Sequence, residues 1–233
     1  MELNYQKRLC QACEQRGIAL STMQLEDLTQ YLALLVRWRP HLNLTGLQNA
    51  ERILEVLIVE SLDFLQGDFF LPGMRVLDLG TGAGVPGIPL AICRPDVHVT
   101  LLDRSEKKIT FLRRVVTSLH LANCQPCCST AEDLVHRLRP QEYFDVVVSR
   151  GVGSVAHLMR LTAPLLKPGG RLLLRKPLHT PELQEAGSLR AAQTWESVET
   201  LSLPWSASPP WALLSIVRSW LGVTIRRTRS KGS

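Results

Sequence analysis

Residues 76–89, VLDLGTGAGVPGIP, set one acid and four glycines directly behind an apolar run. Glycine lets a backbone turn tightly and lets a ligand approach its amide groups. Residues 82–87 fit G-x-G-x-x-G, a pattern found around dinucleotides that alone is also compatible with a bare strand-to-helix turn. Two carboxylates narrow the choice. Asp103 ends the next apolar run, 21 residues beyond Gly82, where an acid accepts hydrogen bonds from ribose hydroxyls. That placement suits NAD and S-adenosylmethionine equally. Asp78 completes D-x-G-x-G-x-G with Gly80, Gly82 and Gly84, and it favours S-adenosylmethionine. A carboxylate beside the turn suits a cationic methionine moiety and would repel a pyrophosphate.

These residues need a scaffold, and the chain supplies one in two parts. Residues 1 to about 70 read as a helical segment, with Leu25, Leu28, Leu32 and Leu35 on one helix face. A second helical stretch is expected at about 49–66. Leu71-Pro72-Gly73 then marks a boundary, and residues 71–233 form the second region. There, RVLDL, HVTLLD, CQPCCS, FDVVVS and RLLLRK read as strands. Helices are expected between them at about 87–93, 105–120, 131–138 and 154–166. Such alternation predicts an α/β fold with a mostly parallel sheet covered on both faces. WESVETLSLPW and WALLSIVRSW follow without a long helix between them and predict a hairpin-like antiparallel end.

Composition sets the outer bounds. With 45% hydrophobic and 21% charged residues, the 233-residue chain has an ordinary globular balance. No apolar run is long enough to span a bilayer and the start reads as no signal peptide, so a cytoplasmic protein is expected. Six cysteines lack a regular framework and read as reduced thiols. The pairs Cys10/Cys13 and Cys124/Cys127 lie far apart in dissimilar settings, so no metal site is assigned. Net charge is +6, and no acid follows Glu199, while Arg218, Arg226, Arg227, Arg229 and Lys231 do. A basic end suits a polyanion, although for the tail alone a solvated segment is the simpler reading. Lys107, Lys108, Arg113 and Arg114 form a second basic group, readable as a phosphate-contacting flank or as a solvated helix face.

Several motifs together resemble one family. LLKPGGRLLL supplies the turn that many methyltransferases use before their fifth strand. The segments around Asn43-Leu44-Thr45, the G-x-P-G-I-P at residues 84–89, and Ser149-Arg150 are similar to RsmG (GidB) proteins. The likeness runs from about Ile18 to Arg175. It implies a Rossmann-like class I methyltransferase sheet, with an antiparallel terminal strand and an N-terminal helical extension. The implied activity is S-adenosylmethionine-dependent methylation of guanine N7 in the decoding-region loop of 16S ribosomal RNA. The resemblance places cofactor contacts at Gly80, Val85, Ala131, Glu132 and Arg150, alongside the glycine turn and Asp103. Independently of the resemblance, Arg150 and Lys176 are candidates for the edge of the reacting guanine, with Asn43 expected on the acceptor side. The implied partner is 16S RNA, a small subunit or an assembly intermediate, met by a monomer away from membranes.

Some positions depart from that pattern. Leu57 stands where the family usually has histidine, Glu60 where it has aspartate, and Pro177 where it has glycine. Two other functions are consistent with the residues: a non-catalytic RNA-binding or assembly module on the same fold, and a small-molecule methyltransferase. Methyl transfer to N7 needs no general base, because that nitrogen has a lone pair and no proton. Catalysis would then rest on positioning, in keeping with the absence of an evident acid/base pair.

Overall fold

The computed structural model describes residues 2–177, 194–205 and 210–219. The basic residues Arg226, Arg227, Arg229 and Lys231 lie outside them.

The chain begins with helices α1 (Glu2–Gln15) and α2 (Thr22–Leu42). Ser21 and Gln24 start α2 as a capping box: the Ser21 hydroxyl accepts the Gln24 N–H at 3.2 Å, and the Gln24 side chain accepts the Ser21 N–H at 2.9 Å. Leu28, Tyr31, Leu32 and Leu35 form its buried face. The helix ends at Asn43, whose left-handed backbone suits asparagine as a cap.

The helical stretch expected over about 49–66 is present and is built in three pieces. A short α3 (Ala50–Ile53) gives way to a π turn over Leu54–Ile58 and a 3₁₀ stretch over Val59–Leu65. These changes of pitch accompany Asp63, a fully buried acid bonded to groups far away in the chain. Tertiary pairing overrides the local preference there.

The sheet and its helices then follow in order: β1 (Arg75–Leu79), α4 (Gly87–Cys93), β2 (His98–Asp103), α5 (Glu106–Ser118), β3 (Cys124–Cys128), α6 (Ala131–Arg137). After these come β4 (Phe144–Ser149), α7 (Val155–Thr162), β5 (Leu166–Pro177), β6 (Trp195–Leu203) and β7 (Trp211–Arg218). The spatial order is β3-β2-β1-β4-β5-β7-β6. The first five strands are parallel, and β7 runs antiparallel to both β5 and β6. The mostly parallel α/β sheet with an antiparallel end is therefore present. Its reversed strand β7 is inserted between β5 and β6, leaving β6 at the edge.

Apolar runs without polar alternation are explained by burial on both faces. Val76, Val99, Val146 and Leu173 pack under α2, α4, α5 and the N-terminal helices. Leu77, Leu102, Val147 and Leu172 pack under α6 and α7 on the opposite face. The N-terminal helices thus share one continuous core with the sheet. Among the described residues, no helix is long and apolar enough to cross a membrane.

Candidate functional site

A cleft of about 480 Å³ opens at the carboxyl ends of β1 to β4, the customary ligand position in an open α/β sheet. Its size falls within the ~300–1,000 Å³ typical of small-molecule sites.

The glycine turn forms its floor. Gly80 and Thr81 donate backbone N–H bonds to the Leu102 carbonyl at 2.9 and 3.0 Å, holding the turn against β2. Gly80 has a φ of +70°, and a Cβ there would lie 2.5 Å from Val152 Cγ2. Only glycine combines that backbone with that approach. Gly84 packs underneath, where Tyr31 reaches from α2 to donate its hydroxyl to the Ala83 carbonyl at 2.8 Å.

Asp103 lines the cleft at the end of β2. Its Oδ2 accepts the Gly82 N–H at 3.0 Å and faces Lys108 Nζ at 3.5 Å, while Oδ1 accepts the Ser105 N–H at 2.9 Å. One carboxylate therefore joins the glycine turn to the next helix and retains lone pairs for a ligand. Ala131 and Glu132 complete that wall from the first turn of α6, whose cap is the Thr130 hydroxyl accepting the Asp133 N–H at 3.1 Å.

Arg150 enters from the opposite wall, directly after β4. Its Nη2 meets Glu60 Oε2 at 3.2 Å, and its Nη1 is buried without a hydrogen-bond partner. Burial pulls the arginine pKa down, and the neighbouring Glu60 carboxylate opposes that shift. Burial raises the Glu60 pKa, opposed by Arg175 and Arg150.

Asp78, expected near the ligand, sits behind the turn. Asp78 is fully buried and does not line the cleft. Its Oδ2 accepts the Thr81 hydroxyl at 2.6 Å and the Gly87 N–H at 2.8 Å, so it organises the turn from behind. Burial pushes its pKa up to about 7, against those two hydrogen bonds.

The cleft lining brings together Gly80, Asp103, Ala131, Glu132 and Arg150. Gly82, Gly84 and Val85 belong to the same turn but not to that lining. Asn43 is exposed at the end of α2 and is not part of the cleft lining. Lys176 sits beyond the lining, donating to the Gly153 carbonyl at 3.3 Å in the loop after β4.

The basic helix flank divides into separate local contacts. Lys108 turns to Asp103, Arg113 pairs with Glu106 at 2.6 Å, and Arg114 lies 5.2 Å over the Trp38 ring. Sequence reasoning assigned no site role to Arg104 or Thr130 and read Lys108 only as part of a basic helix flank, yet all three line the cleft. Their signal was available: each follows a strand end at which the glycine motif had already located a ligand.

Comparison with known proteins supplies the family. A model described as rRNA small subunit methyltransferase G (GidB) matches residues 24–209. The chain belongs to this family. The ribosomal RNA small subunit methyltransferase G of Chromobacterium violaceum is 38% identical over 174 residues, covering 75% of this chain and 80% of that protein. The namesake in Lachnoclostridium phytofermentans is 39% identical over 171 residues, covering 73% and 71% respectively. That of Laribacter hongkongensis is 37% identical over 180 residues, covering 77% and 84%. In this methyltransferase G chain, Asp103, Glu132 and Arg150 therefore surround the cleft of a methyltransferase fold.

Proposed function

We propose that this methyltransferase G chain moves the methyl group of S-adenosylmethionine to N7 of a guanosine in 16S ribosomal RNA. The observation that carries the reading is the cleft lined by the turn glycine Gly80, Asp103, Glu132 and Arg150. Its groups fit an adenosyl amino acid. Asp103 has lone pairs for ribose hydroxyls, Glu132 and the Ala131 amide suit an adenine edge, and Arg150 has a buried unpartnered donor. Gly80 presents the backbone of the turn to such a ligand, and Gly82, Gly84 and Val85 complete the turn that carries it. When bound, S-adenosylmethionine supplies an electrophilic methyl group on a sulfonium.

The protein's own work is positioning. N7 offers a lone pair and releases no proton, so no side chain has to act as base. Arg150 and Lys176 would hold the guanine by its O6 edge and leave N7 free, with Asn43 on the RNA side. In this reading Asp78 preserves the turn rather than touching the ligand. Residues 1–70 form a helical layer on the 71–233 catalytic domain. The protein acts as a cytoplasmic monomer on 16S RNA, a small subunit or an assembly intermediate.

A transfer assay with methyl-labelled cofactor tests this. Naked 16S RNA, purified small subunits and a panel of small-molecule acceptors are supplied separately. Label is expected in the RNA of one ribosomal substrate. Label in a small molecule alone would overturn the RNA assignment. Tight cofactor binding without transfer to any acceptor would favour the assembly module.

A further inference from the structure

Behind Arg150 runs a chain of buried and partly buried charges that joins three parts of the fold. Arg16 on α1 donates through Nε to Asp63 Oδ1 at 2.9 Å, and the Trp205 indole donates to the same oxygen at 2.8 Å. Asp63 Oδ2 accepts Arg175 Nε at 2.7 Å. Arg175 then turns Nη1 to Glu60 Oε2 at 3.0 Å, and the same oxygen meets Arg150 Nη2 at 3.2 Å. The Trp211 ring covers the Arg175 guanidinium at 4.3 Å.

The members of this chain have unequal freedom. Asp63 is fully buried and engages three donors. Arg175 is anchored on β5 by Asp63 and Trp211, so it fixes where Glu60 Oε2 can sit. Glu60 is the member that also reaches Arg150. Three guanidiniums face two carboxylates, and Arg150 is the cation at the cleft end. Its second donor, Nη1, is buried and unpartnered. An unpaired buried donor is costly, and one held ready for a ligand group is a recognised reason to retain it.

We propose that Glu60 is a positioning residue: clamped by Arg175, it grips one edge of the Arg150 guanidinium and presents the other edge to an acceptor oxygen of the cofactor. This rests on the reading that the cleft holds S-adenosylmethionine. Arg150 is the group that touches the ligand, and Glu60 acts only through it.

A double-mutant cycle on S-adenosylhomocysteine binding, read by calorimetry beside thermal unfolding, tests the proposal without requiring turnover. Glu60→Gln should weaken binding about tenfold, the scale of one impaired charge-assisted hydrogen bond. In an Arg150→Ala background the same change should have no further effect, because the residue it acts through is gone. Unchanged or tighter binding in Glu60→Gln would overturn the proposal, as would a tenfold loss that persists without Arg150. If Glu60→Gln does not fold, Arg175→Lys carries the same cycle, since it keeps a charge for Asp63 and loses the fork that clamps Glu60. Wild-type protein that binds no S-adenosylhomocysteine would reject the cofactor reading, and the proposal with it. Binding without methyl transfer to RNA would reject only the acceptor assignment.

Discussion

Replacing Asp78 with asparagine should alter the pH dependence of stability more than it alters stability at any single pH. The carboxyl is fully buried, Oδ2 accepts from Thr81 and Gly87, and Oδ1 has no partner. Burial lifts its pKa from 3.8 to about 7. The folded protein therefore holds this proton more tightly than the unfolded chain does. The resulting stability is fully present below about pH 4 and is lost as pH rises through about 7. A shift of roughly 3 units corresponds to about 4 kcal/mol at full extent.

The amide in Asp78→Asn can still accept from Thr81 and Gly87, but it cannot ionise. It also places N–H donors where Oδ1 lacks a partner, a constant cost of about 1–3 kcal/mol. The variant should therefore be less stable than wild type near pH 4, and the gap should close or reverse by pH 8. Urea unfolding of both proteins from pH 4 to pH 8.5 measures that difference, with other titrating groups common to both. Parallel curves across the range would refute the buried-carboxyl reasoning.

Two further substitutions probe the turn and the cleft. Gly84→Ala puts a Cβ 2.7 Å from Ile88 Cγ1, 2.8 Å from Leu112 Cδ2 and 3.0 Å from the Tyr31 hydroxyl, at a φ of +104°. It should cost at least about 1–3 kcal/mol in thermal unfolding, and an unchanged midpoint would contradict the packing described. Asp103→Ala should weaken S-adenosylhomocysteine binding by about 1–3 kcal/mol in calorimetry, whereas equal affinity would remove Asp103 from the ligand's contacts.

The sequence exposed those parts of the fold whose signals are local. RVLDL, HVTLLD and FDVVVS are apolar runs bounded by turn residues, and they became β1, β2 and β4 at the expected bounds. The 49–66 stretch was legible as helical, but its changes of pitch were not, because Asp63 takes its partners from Arg16, Arg175 and Trp205, which are 47, 112 and 142 residues away. An acid inside the apolar run SLDFL was a sign that a buried partner existed, but spacing alone could not name it. Glu60 was visible only as a departure from the family pattern, and its bond to Arg150 required the fold. At the cleft, strand-end positions were legible because parallel sheets gather their ligands there. Side-chain direction was less so: in D-x-G-x-G-x-G the acid can face a ligand or bond its own turn, and Asp78 does the latter. Asparagine likewise suits both a recognition role and a left-handed helix cap, and Asn43 occupies the cap.

The most direct measurement of the central claim is the position of the transferred methyl. Methylation at guanine N7 gives a cationic base with a labile glycosidic bond, so mild reduction followed by aniline cleaves the RNA chain there. Small-subunit RNA treated with wild-type protein and S-adenosylmethionine should show cleavage at one guanosine, and protein carrying Arg150→Ala should leave that position intact. Methyl incorporation without cleavage, or cleavage undiminished in Arg150→Ala, would contradict the account.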